Sequence, residues 1–158
     1  MKKKRLRRFE VSSTKFYIVL LCLKHIMDDS DLFGVLYIID SSHKLESRKR
    51  IQKMVCIGKY NPQIRYPFSF TYTKYLYGPY SFDLKETLTK LISLGIIEEN
   101  FKDNGYTYSL TAQGELLLTT LKSKVDASDI EKLKLLIKEY PTNKYLPALV
   151  ADSKTFFH

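Results

Sequence analysis

The stretch SFDLKETLTKLISLGIIEENFKDNGYTYSLTAQGELLLTTL, residues 81–121, changes its hydrophobic period twice. Ser81 suits a helix N-cap, and Leu84, Leu88 and Leu91 then recur on one helical face up to about Leu94. Gly95 follows, where a left-handed residue can end a helix. The period drops to two over Ile96–Phe101 and Tyr106–Leu110. Lys102-Asp103-Asn104-Gly105 joins these strands, and Asn-Gly is a strong short-range hairpin signal. Thr111 caps a return to helical spacing, with Leu116, Leu117 and Leu121 inward.

Upstream of Ser81, Gly78-Pro79 turns the chain. Pro67–Tyr72 alternates Phe68, Phe70 and Tyr72 with Ser69 and Thr71, the pattern of a half-buried strand. Leu45 to about Tyr60 reads as a helix that Asn61-Pro62 stops. Its inner face is Leu45, Ile51, Met54, Val55 and Gly58, and Lys49, Arg50 and Lys53 fall on the outer one. Leu32–Ile39 fits a strand or a short buried helix equally well, and Asp31 is placed to cap it. A first helix from Ser12 or Ser13 to about Met27 puts Phe16, Leu20, Leu23 and Met27 on one face. Downstream, a helix covers about Ser128–Tyr140 and stops at Pro141, with a short fraying turn after Asn143.

Helix, helix, helix, hairpin, helix is the plan of a winged helix-turn-helix. The expected fold is therefore mainly α (α+β). It is a winged-helix domain over Leu45–Leu118 with a short hairpin wing and extra N- and C-terminal helices. The expected organisation is a basic arm (1–10), an N-terminal helix (11–30), the winged-helix domain (31–121) and a helical extension (122–158) that is a candidate dimer surface.

The segments ESRKRIQKMV (46–55), YPFSF (66–70), YLYGPYSFDLKETLTKLISLGIIEE (75–99) and YTYSLTAQGELLL (106–118) together resemble the YwgA-like family of archaea and bacteria. That family consists of winged-helix regulators marked by a Lys/Arg-x-Leu/Ile-Gln-Lys helix, here Lys49–Lys53. Its second mark is a Tyr-Gly-Pro-Tyr-Ser opening to the next helix, here Tyr77–Ser81. A weaker similarity to the Panacea antitoxin domain rests on the same Gln-Lys helix and Gly-Pro turn. The resemblance spans roughly residues 32–120, implies a helix at Leu32–Ile39, and implies the fold more firmly than the activity.

Charge sharpens the functional reading. The chain has 158 residues and a formal charge of +9. Lys2, Lys3, Lys4, Arg5, Arg7 and Arg8 make an arm without acid before Glu10, and residues 44–74 hold eight basic groups against Glu46 alone. What remains is net acidic, so the positive field is concentrated and suits a polyanion such as duplex DNA. The groove-facing helix of the fold would be Ser81–Leu94, with Lys85, Thr89 and Lys90 outward and Asp83 and Glu86 offsetting the lysines. Lys102 is the basic group of the wing, beside Asp103. Arg48, Lys49, Arg50 and Lys53 would hold phosphates and set register, and the arm would track the backbone or enter a minor groove.

The expected function is a cytoplasmic, homodimeric, DNA-binding transcriptional regulator that grips duplex DNA largely through phosphates. One alternative is a protein-interaction module, antitoxin-like or a scaffold, of the same fold. Another is single-strand or RNA binding through the arm and exposed tyrosines. No Gly-rich phosphate loop, Ser/His/Asp order or meaningful carboxylate pair is present, so neither an enzyme nor a small-molecule substrate is expected. His25, His43 and His158 are scattered, and Cys22 and Cys56 sit among apolar neighbours and read as buried reduced thiols, so no metal or cofactor is expected. The apolar run Phe16–Leu23 after a basic start resembles a signal peptide. It is only eight residues long and lacks a small-residue cleavage site, so neither export nor a membrane span is expected.

Overall fold

A computed structural model describes residues 13–42, 45–141 and 144–157. The chain begins with α1 (Ser13–Lys24), whose Val19 and Leu23 are buried and whose Phe16 and Leu20 are partly buried against the core. Helix α2 (Asp29–Ser41) resolves the ambiguity at Leu32–Ile39 in favour of helix. Asp28 rather than Asp31 is its N-cap, its carboxylate accepting from the Asp31 N–H at 2.8 Å. Leu32, Phe33, Val35, Leu36, Ile38 and Ile39 are all within 2 % of complete burial. A helix apolar all round lies at the centre of a core, which is why periodicity alone could not identify it.

Strand β1 (Leu45–Glu46) was expected to open the following helix, but it pairs in a sheet. Helix α3 (Arg48–Tyr60) follows, with Ser47 accepting from the Arg50 N–H. Residues 61–81 then cross the molecule without entering the sheet. Pro67–Tyr72 keeps its alternation, with Phe68, Phe70 and Tyr72 buried and Ser69 and Thr71 exposed, but it forms no ladder. Side chains satisfy its backbone instead. Asp31 accepts from the Ser69 N–H at 2.8 Å, Asp83 accepts from Thr71, and Lys59 donates to the Phe70 carbonyl at 2.6 Å. Gly34 on α2 leaves room for the Phe68 ring: a Cβ there would lie 2.5 Å from it.

Helix α4 (Phe82–Ser93) starts at Ser81, which accepts from Leu84, and ends at Gly95 with φ 71°. Strands β2 (Ile97–Lys102) and β3 (Gly105–Leu110) form the hairpin. Its central turn residues are Asp103 and Asn104, at φ 51° and 62°, so Gly105 is the first residue of β3 rather than part of the turn. The sheet is antiparallel in the order β1-β3-β2, with Leu45 opposite Tyr108.

Thr111 caps α5 (Ala112–Lys122). Helices α6 (Ala127–Glu139) and α7 (Leu146–Phe156) complete the described chain. The expected fraying turn after Asn143 is thus an 11-residue helix. Both α6 and α7 pack on α3, and Leu133, Leu136 and Leu149 are fully buried in the same core as α2. The apolar face that made the C-terminal extension a candidate dimer surface is covered by the chain itself. Exposed apolar residues cluster on α1, where Tyr17, Ile18 and Leu21 are more than half exposed, and again around Tyr75–Tyr77 and on the hairpin at Phe101 and Tyr106. Among the described residues, no helix is long and apolar enough to cross a membrane.

Candidate nucleic-acid interface

Helix α4 divides cleanly. Leu84, Thr87, Leu88 and Leu91 are buried, and Phe82, Asp83, Lys85, Glu86, Thr89, Lys90 and Ser93 are exposed. Lys85 and Lys90 form no salt bridge with a described residue. The Thr89 hydroxyl donates to the Lys85 carbonyl at 3.0 Å, leaving its lone pairs outward. The end of α4 leads through Gly95 into β2, against which it packs. Lys102 is exposed at the far end of that strand, next to the turn.

Helix α3 does not present the basic face its sequence suggested. Arg50 is 7 % exposed and Lys53 2 %, so two of the four expected phosphate ligands are buried. The reason is packing from several sides: α2, α6 and α7 contact this helix, and residues 78–81 close over the turn that carries Gln52 and Lys53. The Lys53 ammonium donates to the Pro79 carbonyl at 2.5 Å. Burial, helped by the nearby charges of Lys49 and Lys154, lowers its pKa to about 8. The Arg50 Nη2 donates to the Lys144 carbonyl at 2.7 Å.

Arg48 remains partly exposed but engaged. It donates to Glu99 on β2 at 3.0 Å and to the Tyr108 hydroxyl on β3 at 3.0 Å. Tyr108 in turn donates to Glu99. The Tyr108 bond, with Arg48 behind it, holds the Glu99 carboxyl below its ordinary range, while burial pushes Tyr108 up to about 12. Lys49 alone of the four projects outward, its ammonium 4.4 Å from the centre of the Tyr77 ring. The arm residues Lys2, Lys3, Lys4, Arg5, Arg7 and Arg8 lie outside the described residues.

The sequence signalled a different role for two of its motifs. The Gln52 amide donates to the Ser81 carbonyl at 2.7 Å and accepts from the Ser81 N–H at 2.9 Å. With Lys53 on Pro79, the Gln-Lys pair of α3 therefore holds the Gly-Pro-Tyr-Ser turn that starts α4. Both motifs were visible; their pairing across 26 to 29 residues was not. The turn's tyrosines are partly exposed, with Tyr75, Tyr80 and Phe82 in mutual ring contact at 5.1 to 5.9 Å.

Cys56 is buried, and burial pushes its thiol up to about 12, far from nucleophilic. Cys22 is exposed, contrary to the expected burial. Among the described residues, no group of three or more His, Cys, Asp or Glu could hold a metal ion. No family model, curated protein or solved structure matches the chain, so its likeness to the YwgA-like family and the Panacea domain rests on the motifs alone.

Proposed function

We propose that this chain is a winged-helix protein that binds double-stranded DNA and regulates transcription. The order α2, β1, α3, α4, β2, β3 with the sheet order β1-β3-β2 supports the winged-helix reading. The single observation that carries the DNA reading is α4. One side of it is anchored by four buried residues, and the other offers Lys85, Thr89, Lys90 and Ser93 beside a projecting hairpin.

In this reading Lys85 and Lys90 meet phosphates or base edges, and Lys49 and Lys102 flank them. The arm adds sequence-independent attraction. Asp83 and Glu86 on the same helix limit how closely it approaches phosphates, so affinity depends strongly on the arm. A homodimer belongs to the same reading, and α1 with Tyr17, Ile18 and Leu21 is the surface it would use.

Fluorescence anisotropy of the full chain on a random duplex tests the proposal. Micromolar affinity is expected at about 0.05 M salt, falling by at least roughly tenfold at about 0.2 M. No affinity at the lower salt overturns it.

One observation favours a second reading, a protein-interaction module. Tyr75, Leu76, Tyr77 and Phe82 are each half exposed or more around the head of α4. If a protein partner is the true ligand, alanines at Lys85 and Lys90 leave the biological activity intact, whereas alanines at Leu76 and Tyr77 abolish it.

A further inference from the structure

Arg50 carries a buried charge without a counter-ion among the described residues. Its Nη2 donates to the Lys144 carbonyl, but its Nε and Nη1 are inaccessible and have no hydrogen-bond partner among the described residues. No salt bridge among the described residues includes it. A buried guanidinium with unmatched donors is expensive to keep, because an isolated charge loses several kcal/mol of hydration on burial.

Arg50 borders a cavity of about 880 Å³. Three elements enclose it: Ser47 and Arg50 at the start of α3, Asn100 to Thr107 on the hairpin, and Leu146 at the start of α7. Two helix N-termini thus converge on one space. Neither has an acidic residue in its first turn, and α7 has no side-chain cap. Each terminus contributes positive potential, although Ser47 already accepts from the Arg50 N–H, and in α7 Pro147 has no N–H while Ala148 and Leu149 donate to the Tyr145 carbonyl. Lys102 adds a further cation, and Asp103, exposed at the turn, is the acid among the lining residues. The same wall holds Phe101 and Tyr106, more than half exposed, with ring centres 4.9 Å apart.

We propose that this cavity binds a small organic oxyanion, a carboxylate or phosphate monoester carried on a planar ring. The anionic group lies toward Arg50 and the two helix starts, and the ring lies against Phe101 and Tyr106. Nε and Nη1 have no accessible surface, so the oxyanion bonds to them by drawing the guanidinium toward the cavity. Such charge-assisted bonds are among the stronger polar contacts, and a ring on exposed aromatics removes apolar surface from water. Arg50 already holds the segment entering α7 through Lys144, so an occupant would also fix that segment to the hairpin. The inference stands whether or not the chain binds DNA.

Calorimetric titration of the full chain with phenyl phosphate, benzoate and inorganic phosphate tests it. Salt of about 0.15 M screens long-range attraction to the basic arm. Phenyl phosphate or benzoate is expected to bind once per chain with Kd below about 1 mM, and inorganic phosphate roughly tenfold more weakly. Whichever organic probe binds more tightly identifies the anionic group. Arg50→Met is expected to weaken the better probe at least about tenfold with the arm intact. No saturable binding of any probe up to about 10 mM, or equal binding by Arg50→Met, overturns the proposal. Should Arg50→Met fail to fold by circular dichroism, nuclear magnetic resonance of the wild type decides. Shifts at the Arg50 Nε–H and the Ser47, Asn100 and Thr107 amides support the site; shifts confined to the arm overturn it.

Discussion

Helix α3 carries five basic residues and no acid, yet Arg50 and Lys53 are buried within it. Helix α4 balances Lys85 and Lys90 with Asp83 and Glu86, yet its whole outer face meets solvent. Charge density in sequence and charge available to a partner are therefore nearly inverted between the two helices. A cationic side chain on a helix can anchor a turn as readily as it can meet a phosphate. Which it does depends on what covers the helix, and for α3 the cover comes from residues 78–81 and from α7, both remote in sequence.

The largest expected effect lies at the joint between the two helices. Gln52 serves both the N–H and the carbonyl of Ser81, and it is 2 % exposed. Gln52→Leu leaves the Ser81 N–H buried without an acceptor and deprives the carbonyl of one donor. At about 1–3 kcal/mol for each orphaned group, stability should fall by roughly 2–4 kcal/mol. Urea unfolding followed by circular dichroism measures this. A loss below about 1 kcal/mol would mean that α4 does not depend on α3 for its placement.

Lys53 gives the next effect, read through pH. Its folded pKa of about 8 lies below the ordinary 10.5. Between these values the unfolded chain binds the proton and the folded chain does not, so stability rises with pH across that window. Below pH 8 both states hold the proton and the full burden of burying it is present. Paired urea titrations of wild type and Lys53→Met should show the wild type gaining about 2–3 kcal/mol on the variant from pH 7 to 10. The comparison with the variant removes the opposing contribution of Cys56, whose raised pKa weakens the fold as pH climbs. A constant gap would indicate that the Lys53 ammonium is hydrated and free to serve a ligand.

What the sequence made legible follows the same division. The elements from Ser81 to Leu121 were readable because caps, glycine and period changes are local signals; the turn register slipped by one residue, and Leu116, expected inward, is exposed on α5 beside the buried Leu117. Pro67–Tyr72 was readable as an alternating face but not as an unpaired one. Its backbone partners are Asp31, Lys59 and Asp83, and no local pattern names them. Strand β1 is two residues long, too short for any period to show. For the candidate interface, the exposed face of α4 was legible in the heptad-like spacing of Leu84, Leu88 and Leu91. The burial of Arg50 and Lys53 was not, because it arises from packing against residues 78–81 and the chain entering α7.

Under the proposed DNA-binding function, the two helices should also separate in their effect on affinity. Lys85→Ala with Lys90→Ala removes two exposed charges and should change stability by less than about 0.5 kcal/mol. The slope of log affinity against log salt should fall by roughly 2, or about 0.9 for each phosphate that is no longer neutralised. Lys53→Met should leave that slope unchanged, because a buried ammonium bound to Pro79 releases no counter-ion. If instead Lys53→Met flattens the slope and the α4 pair does not, the assignment of the interface to α4 fails.

The smallest effect concerns Arg48, the residue of α3 that belongs to neither class. Its guanidinium is partly exposed, yet Glu99 and Tyr108 hold it on the sheet side. The folded pKa of Glu99 lies below its ordinary value, chiefly through the Tyr108 bond. The stability this contributes is present above the unfolded pKa and is lost as pH falls through the folded one. Both partners are a quarter or more exposed, so solvent screening keeps the pair below about 1 kcal/mol. Wild type should therefore lose a small margin over Glu99→Gln as pH drops from about 5 to 3, visible in paired thermal midpoints. The same substitution sharpens the functional comparison. It frees Arg48 from its carboxylate, so a phosphate would no longer compete with Glu99 for it, and DNA affinity should rise about two- to threefold at low salt. An unchanged affinity would place Arg48 with the buried cations of its own helix, leaving Lys49 as the exposed basic residue on the first turn of α3.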